Sequence, residues 1–98
     1  MTTSTNLTNL YGMFNECFEL NDIYLGNINT TNVTNMEYMF AYCRNLYKVS
    51  LYTPVENVVS AWGMFYGITT EGELLYHSNF DYSIIIEQLP TTWVASST

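Results

Sequence analysis

Basic side chains are almost absent from this chain of 98 residues, in which Arg44 and Lys48 stand against nine acidic residues and the formal net charge is -7. A protein that binds nucleic acid neutralises several phosphates with lysine or arginine. We therefore expect no nucleic acid partner. The acidic residues are scattered along the chain, so the charge favours a role in solubility over imitation of nucleic acid.

Long apolar runs are also absent. No window approaches the roughly 18 apolar residues of a membrane span, and no basic segment followed by an apolar one opens the chain. The sequence thus predicts neither membrane insertion nor a signal peptide. Hydrophobic residues still make up 48% of the chain, which is too many for a disordered polypeptide. We expect one folded domain spanning residues 1–98.

Residues that carry chemistry are few. Cys17, Cys43 and the single histidine, His77, lack the spacing of a zinc site. The chain has no glycine-rich phosphate loop and no GxSxG turn. Asp81 and Glu87 are typical of a helix start and a solvated side chain rather than of a catalytic carboxylate pair. We therefore expect no enzymatic activity, no cofactor and no metal.

One sequence motif, Met-Phe, occurs three times at nearly regular spacing. Met13-Phe14 returns as Met39-Phe40 after 26 residues, and Met64-Phe65 follows after another 25. The predicted repeats are about 7–32, 33–57 and 58–76. In each repeat the apolar residues have the i, i+3, i+4, i+7 spacing of a helical face: Leu10, Met13, Phe14, Cys17; Met36, Met39, Phe40, Cys43; Ala61, Met64, Phe65, Ile68.

Each predicted helix is followed by a short alternating segment that predicts a strand with one buried face. The predicted inward pairs are Ile23 and Leu25, Val49 and Leu51, and Leu74 and Tyr76. In the middle repeat, Thr34 and Glu37 form a capping-box pattern, so a helix should begin near Asn35. Because every unit has the same polarity, the strands should be parallel and the helices should stack on the opposite side.

The ends of the chain differ from the repeats. Ile84, Ile85 and Ile86 with Leu89 predict a short helix that begins near Asp81 and stops at Pro90, and Trp93 with Val94 predicts a last strand. Residues 77–98 are thus predicted to be a C-terminal cap. Residues 1–6 are short and polar, so the N-terminal edge is predicted to be uncapped. The fold class is α/β: a short leucine-rich-repeat solenoid with parallel strands on one side and short helices on the other.

Two sets of side chains are candidates for an interaction surface. The first lies on the outward face of the strands, in two columns: Asp22, Lys48 and Glu73, and Tyr24, Ser50 and Leu75. The charge column alternates in sign, which favours a ladder that fixes register over a ligand site. The second set lies off the apolar helical stripe: Tyr11, Tyr38, Tyr42 and Tyr47. Tyrosine is enriched at recognition surfaces, so an interface and simple packing at the core boundary are both open readings.

Cys17 and Cys43 lie one repeat apart and should be neighbours in the stack. Both belong to the apolar stripe, where a thiol usually acts as a small buried hydrophobe. Free core thiols are therefore favoured over a disulfide, and mass spectrometry after alkylation of the unreduced protein separates the two.

The segments LTNLYGMFNECFELNDIYL and VTNMEYMFAYCRNLYKVSL resemble the leucine-rich repeats of the bacterial surface-protein type, whose units read roughly NVTNMxxMFxxCxxLxxLxL. The resemblance covers about residues 7–76. It implies a curved solenoid of the kind found in long cell-surface proteins that bind host or neighbouring cells. The terminal LPTTW is similar to segments that close such arrays. Members of the resembled family also occur on phages and mobile elements, so the resemblance implies a virion or accessory protein as a second setting.

Three functional hypotheses follow. The first is a recognition or adhesion module without enzymatic activity that binds a protein partner. The second is a structural subunit, such as a phage virion or surface-array component, whose uncapped N-terminal edge and exposed apolar columns pack against copies of itself or against a larger partner. The third is an acidic inhibitor that blocks a basic protein surface, whose partner binding should weaken with salt.

Overall fold

Four short strands run in the same direction and form one sheet in the computed structural model, which describes residues 7–98. Their order in the sheet, β1-β2-β3-β4, is their order in the chain. The bounds are β1 Asp22–Tyr24, β2 Lys48–Leu51, β3 Gly72–Tyr76 and β4 Trp93–Ser97, with a single short helix α1, Ser83–Ile86, among the described residues. The chain thus winds as a parallel β-solenoid of about three turns, and the predicted solenoid and parallel strands are confirmed.

The register of the sheet is the predicted one. Asp22 pairs with Lys48, which pairs with Glu73, and Tyr24 pairs with Ser50, which pairs with Leu75. The predicted inward residues alternate with these columns: Leu25, Val49, Leu51 and Leu74 are buried, while Ile23 and Tyr76 are half-buried. A period of two residues was sufficient to locate this face, because side chains of a strand alternate strictly between its two sides.

The predicted helices of the three repeats are wrong. Residues 9–17, 35–43 and 60–68 form consecutive tight turns instead, and we call the side of the solenoid that they build the turn face. The amide of Tyr42 donates to the carbonyl of Tyr66 in the next turn at 2.7 Å. In an α-helix it would donate to residue 38. The fold therefore has four parallel strands and almost no helix.

Backbone hydrogen bonds on the turn face alternate between two directions. Even-numbered amides of residues 10–16 and 36–42 donate to the next turn, as in Gly12 to Glu37 at 2.9 Å and Tyr38 to Trp62 at 3.2 Å. Odd-numbered amides from Met13 to Cys17, and from Met39 to Cys43, donate to the carbonyl three residues earlier. Each such bond closes a β-turn. Because more than half of these bonds run between neighbouring turns, they fix the positions of the turns relative to each other.

Left-handed backbone makes these turns possible. Two positions in each turn, four residues apart, have positive φ between 55° and 80°: Gly12 and Glu16, Tyr38 and Tyr42, Gly63 and Gly67. In each segment they are the third residues of the first and the last hydrogen-bonded β-turn, where a type II turn requires positive φ. Three of the six are glycine, which adopts this conformation without steric cost. The chain bends back at each of them, so a helix cannot propagate.

The predicted capping box does not form. The Thr34 hydroxyl donates to the Thr8 carbonyl at 3.3 Å, and the Glu37 carboxylate accepts from the Ser60 hydroxyl at 2.6 Å. The first turn of this segment is stabilised instead by the Asn35 side chain, whose Oδ1 accepts from the Glu37 amide at 2.8 Å. A short polar side chain that accepts a hydrogen bond from the backbone amide two residues later is typical of a turn. The capping-box pattern of the sequence therefore begins a turn here and not a helix.

The C-terminal segment packs on the third turn, where β4 pairs with β3 in parallel. Helix α1 lies within the range predicted between Asp81 and Pro90, and β4 contains the predicted Trp93 and Val94. The Asp81 carboxylate accepts from the Ser83 amide and hydroxyl, and these bonds lower its pKa below the ordinary value. The prediction of an uncapped N-terminal edge from residues 1–6 lies outside the described residues.

The core fills the space between the sheet and the turn face. Rings of successive turns stack through it: Phe14 on Phe40 with centroids 5.5 Å apart, Phe40 on Phe65 at 5.8 Å, and Phe65 against Trp93 at 5.3 Å. The apolar stripe predicted from the repeats is buried in the second and third turns; in the first, only Leu10 is. Between residues 7 and 98 the chain forms no helix with the length and apolar character needed to cross a membrane.

Candidate interaction surface

Five aromatic side chains cluster on the outside of the turn face. We call them the aromatic surface: Tyr11, Tyr38, Tyr42, Trp62 and Tyr66. Tyr38 lies at the centre, with ring centroids 5.6 Å from Tyr11, 5.4 Å from Trp62 and 6.5 Å from Tyr66. All but the half-buried Tyr38 are exposed. The predicted candidates Tyr11, Tyr38 and Tyr42 are thus brought together.

The turn register explains why these rings meet. Isolated bridges join Asn9 to Asn35 and Asn35 to Ser60, so counting along the turns places Tyr11, Glu37 and Trp62 in one column. The next column holds Gly12, Tyr38 and Gly63, and the one at the second left-handed position holds Glu16, Tyr42 and Gly67. In the first of these columns Tyr38 thus lies between two glycines, and in the second Tyr42 lies between Glu16 and Gly67.

Glycines make the room into which the tyrosine rings lean. A Cβ added to Gly63 would lie 2.8 Å from Cε1 of Tyr38, and one added to Gly67 would lie 2.5 Å from Cδ1 of Tyr42. Both distances are below ordinary van der Waals contact. The rings of Tyr38 and Tyr42 thus lie against the bare backbone of the next turn, which restricts their orientation.

The tyrosine at the centre of the aromatic surface, Tyr38, is influenced by a nearby carboxylate, that of Glu37. Burial among its neighbours raises the pKa of Tyr38 above the ordinary 10.0, and Tyr11 and Glu37 add to the effect. The surface thus presents O–H and N–H groups on apolar rings.

Two open hollows lie beside the aromatic surface: Tyr66 lines the first, Tyr42 lines the second, and Gly67 lines both. The Trp62 hollow, of about 310 Å³, is lined by Trp62, Gly63, Phe65, Tyr66, Gly67, Ile68, Gln88 and Pro90. The Arg44 hollow, of about 380 Å³, is lined by Glu16, Phe18, Tyr42, Arg44, Gly67 and Thr69. In the second, the Arg44 guanidinium carbon lies 4.1 Å from the centroid of the Phe18 ring.

The other predicted residues lie apart from this surface. Tyr47 is exposed, but no ring contact within residues 7–98 joins it to the aromatic surface. The two sheet columns lie on a different side of the solenoid. In them, Ser96 donates to the Glu73 carboxylate at 2.9 Å and Ser50 is buried. Tyr24 is exposed and contacts Tyr52 with centroids 6.0 Å apart.

Trp62 and Tyr66 were missed in the sequence. Both stand beside the apolar stripe of the third repeat, as Tyr11, Tyr38 and Tyr42 do in the first two, and that position was the available signal. The third repeat diverges from the first two at YGITTEG. Their neighbourhood depends on the turn register, which a helical interpretation does not provide.

The cysteines are free thiols in the structure. The Cys43 thiol donates to the Phe14 carbonyl at 2.9 Å, and burial raises the pKa of Cys43 above the ordinary 9.0. Within the described part of the chain, no three His, Cys, Asp or Glu residues come together in a group able to hold a metal ion. His77 stacks on Tyr52 with centroids 4.4 Å apart.

The fold defines this protein as a small parallel β-solenoid with an aromatic turn face. Residues 2–82 match the family described as "Mycoplasma protein of unknown function, DUF285". This match covers well over half of the chain, and the chain belongs to that bacterial family. Comparison with curated proteins and with solved structures gave no match.

Proposed function

We propose that this chain is a recognition module without enzymatic activity, which binds a protein partner through the aromatic surface. The observation that supports this most is the clustering of exposed rings on a hydrogen-bonded backbone: Tyr11 is 56% exposed, Trp62 57% and Tyr66 53%. Tyrosine and tryptophan dominate the energetically important centres of protein interfaces. Rings that are already ordered lose little entropy on binding.

The setting that we propose is a bacterial cell surface, where the module takes part in adhesion. The resemblance of residues 7–76 to surface-protein leucine-rich repeats supports this setting, and so does the repeat architecture, which presents side chains of successive turns on one continuous face.

Selection of random peptides on the intact protein tests the binding surface without knowledge of the partner. We expect the selected peptides to bind Trp62→Ala and Tyr66→Ala proteins at least about tenfold more weakly than the original chain. Tyr24→Ala is the matched control, because this tyrosine is equally exposed but lies on the sheet side. Peptides that tolerate both turn-face changes, or that require Tyr24, would show that the surface has no such role.

The second candidate is an assembly subunit, such as a virion component, that associates with itself through the first turn. The specific observation is a difference between turns: Met13 is 49% exposed, whereas its counterpart Met39 is fully buried. Phe14 and Cys17 are half-buried, and Phe40 and Cys43 are fully buried. Size-exclusion chromatography coupled to light scattering tests this. A discrete oligomer that dissociates in the Met13→Asp variant supports assembly, and a monomer at all concentrations contradicts it.

A further inference from the structure

The Trp62 hollow has the shape to receive a flat group. The rings of Trp62 and Tyr66 both line it, their planes lie 23° apart and their centroids are 6.5 Å apart. Gly63 and Gly67 line it as well and contribute no side chain. A planar group that enters can therefore stack on either ring, well within the roughly 6 Å from a ring centroid at which a cation is attracted.

The charges of the chain favour a cationic occupant. The net charge is -7, and the only two basic side chains are placed elsewhere. Arg44 lies over Phe18, and Lys48 lies in register between Asp22 and Glu73 on the sheet. Glu37 is close enough to the aromatic surface to raise the pKa of Tyr38. No charged side chain of the described residues lines the Trp62 hollow, so no cation of the chain itself fills it, and the net negative charge of the molecule favours a cation from outside.

Arginine fits this hollow better than lysine does. Its guanidinium is planar and weakly hydrated and stacks on aromatic faces, whereas an ammonium is compact and strongly hydrated. The chain already uses this interaction at Phe18, beside the neighbouring hollow. Gln88 also lines the Trp62 hollow, and its Oε1 accepts from the Gly63 amide at 3.2 Å. That oxygen has a second lone pair for a guanidinium N–H.

We propose that the aromatic surface recognises an arginine side chain presented by its protein partner, and that the guanidinium stacks in the Trp62 hollow. This inference rests on the proposed function and names the chemistry of the partner. A partner with a basic exposed segment is complementary to the acidic chain as a whole, which also speeds its approach.

The test uses the intact protein and a defined probe, acetyl-Gly-Gly-Arg-Gly-Gly-amide. The chain has two tryptophans, so its nitrogen-15 spectrum holds two indole N–H signals, and the one missing from Trp62→Leu belongs to Trp62. We expect a saturable shift of that signal and none of the Trp93 signal. The citrulline analogue, which is planar but neutral, should bind at least about fivefold more weakly, and so should the lysine analogue.

Variants locate the site. Trp62→Leu and Tyr66→Leu should each lose binding. The titration of Tyr66→Leu is read from the Trp62 indole signal, and that of Trp62→Leu from the backbone amides of Gly63 and Gly67, which line the hollow. Val94→Ala should bind as the original chain does, because Val94 is exposed on β4, away from the hollow. Well-dispersed spectra show that each variant is folded.

Several results would overturn the inference: no shift at any probe concentration, equal binding of the citrulline analogue, stronger binding of the lysine analogue, or full binding by Tyr66→Leu. The proposed function fails by a different route. If selected peptides depend on Trp62 but contain no arginine, the aromatic surface is still a binding surface and only the arginine inference is wrong.

Discussion

At the scale of single residues, the left-handed positions decide where the aromatic rings lie. Tyr38 and Tyr42 adopt φ of 55° and 61°, a conformation that costs roughly 1–2 kcal/mol in a residue with a side chain. What offsets this cost is the contact of each ring with the next turn, made possible by Gly63 and Gly67. The same residues therefore shape both the backbone and the proposed binding surface.

Two glycine variants separate backbone strain from ring contact. Gly12→Ala introduces a side chain at φ +60 with only the Asn15 Cβ nearby, at 3.9 Å, and should cost about 1–2 kcal/mol of unfolding free energy. Gly63→Ala, at φ +68, meets the Tyr38 ring as well and should cost more. Urea unfolding measures both. Equal losses would mean that the Tyr38 ring moves aside freely, contrary to the ordered surface described above.

A buried phenol at the C-terminal end gives a second prediction. The Tyr82 hydroxyl donates to the Thr53 carbonyl at 2.9 Å, and Thr53 in turn bonds the Ile28 carbonyl and the Thr30 hydroxyl. Tyr82→Phe removes the donor from this buried ladder. We expect a loss of about 1–2 kcal/mol at neutral pH, measured by urea unfolding, and an unchanged midpoint would show that the bond contributes nothing.

The pH dependence of the same variant has a definite sign. Burial raises the pKa of Tyr82 above its ordinary 10.0, so the folded state prefers the neutral phenol. The resulting stability is complete below pH 10.0 and is lost as the pH rises above that value. Tyr82→Phe has no such phenol, and its stability should fall less steeply than that of the original chain in that range. Parallel curves would contradict the assignment.

At the scale of elements, the sequence predicted the strands well and the turn face badly. A strand alternates with period two, and no other element does, so Val49 and Leu51 marked β2 unambiguously. Turns that repeat every four residues bury side chains at almost the same spacing as a helix does. Hydrophobic periodicity alone therefore could not separate the two. The distinguishing signal was local: Gly12, Gly63 and Gly67 at fixed positions inside segments that were interpreted as helices.

The charge column of the sheet gives the prediction at this scale. Lys48 lies between Asp22 and Glu73 on adjacent strands, and a cross-strand pair of opposite charges contributes about 0.2–1 kcal/mol. Lys48→Gln should lower stability by an amount in that range at low salt, and the difference should shrink at high salt because exposed charges are screened. Lys48→Arg, which keeps the positive charge in the column, is the control and should retain the stability. An equal loss in Lys48→Arg, or a Lys48→Gln loss that does not change with salt, would contradict the ladder interpretation.

At the scale of the whole molecule, stability comes from stacking one turn on the next. Phe40 lies between Phe14 and Phe65 and is fully buried, whereas Phe14 is half-buried and, among residues 7–98, stacks on a ring of one neighbouring turn only. Phe40→Ala should cost about 3–5 kcal/mol, and Phe14→Ala should cost about half as much or less, since half of its contacts and burial are missing. Similar losses in urea unfolding would contradict a core centred on the middle turn.

The candidate site was predictable in part for the same reason. Tyr11, Tyr38 and Tyr42 stood off the apolar stripe and were identified, because being outside the core is a property of one repeat. The positions of Trp62 and Tyr66 beside these tyrosines depend instead on the register between two turns. That register decides which residue of one turn faces which residue of the next, and only the backbone hydrogen bonds fix it.

Hydrogen bonds between turns therefore hold the turn face and place the rings of Tyr38, Trp62 and Tyr66 side by side. Nuclear magnetic resonance detects couplings transmitted across a hydrogen bond from an amide nitrogen to a carbonyl carbon. We expect couplings from Tyr38 to Trp62 and from Tyr42 to Tyr66. A coupling from the amide of Tyr42 to the carbonyl of Tyr38, the bond of an α-helix, would contradict this arrangement.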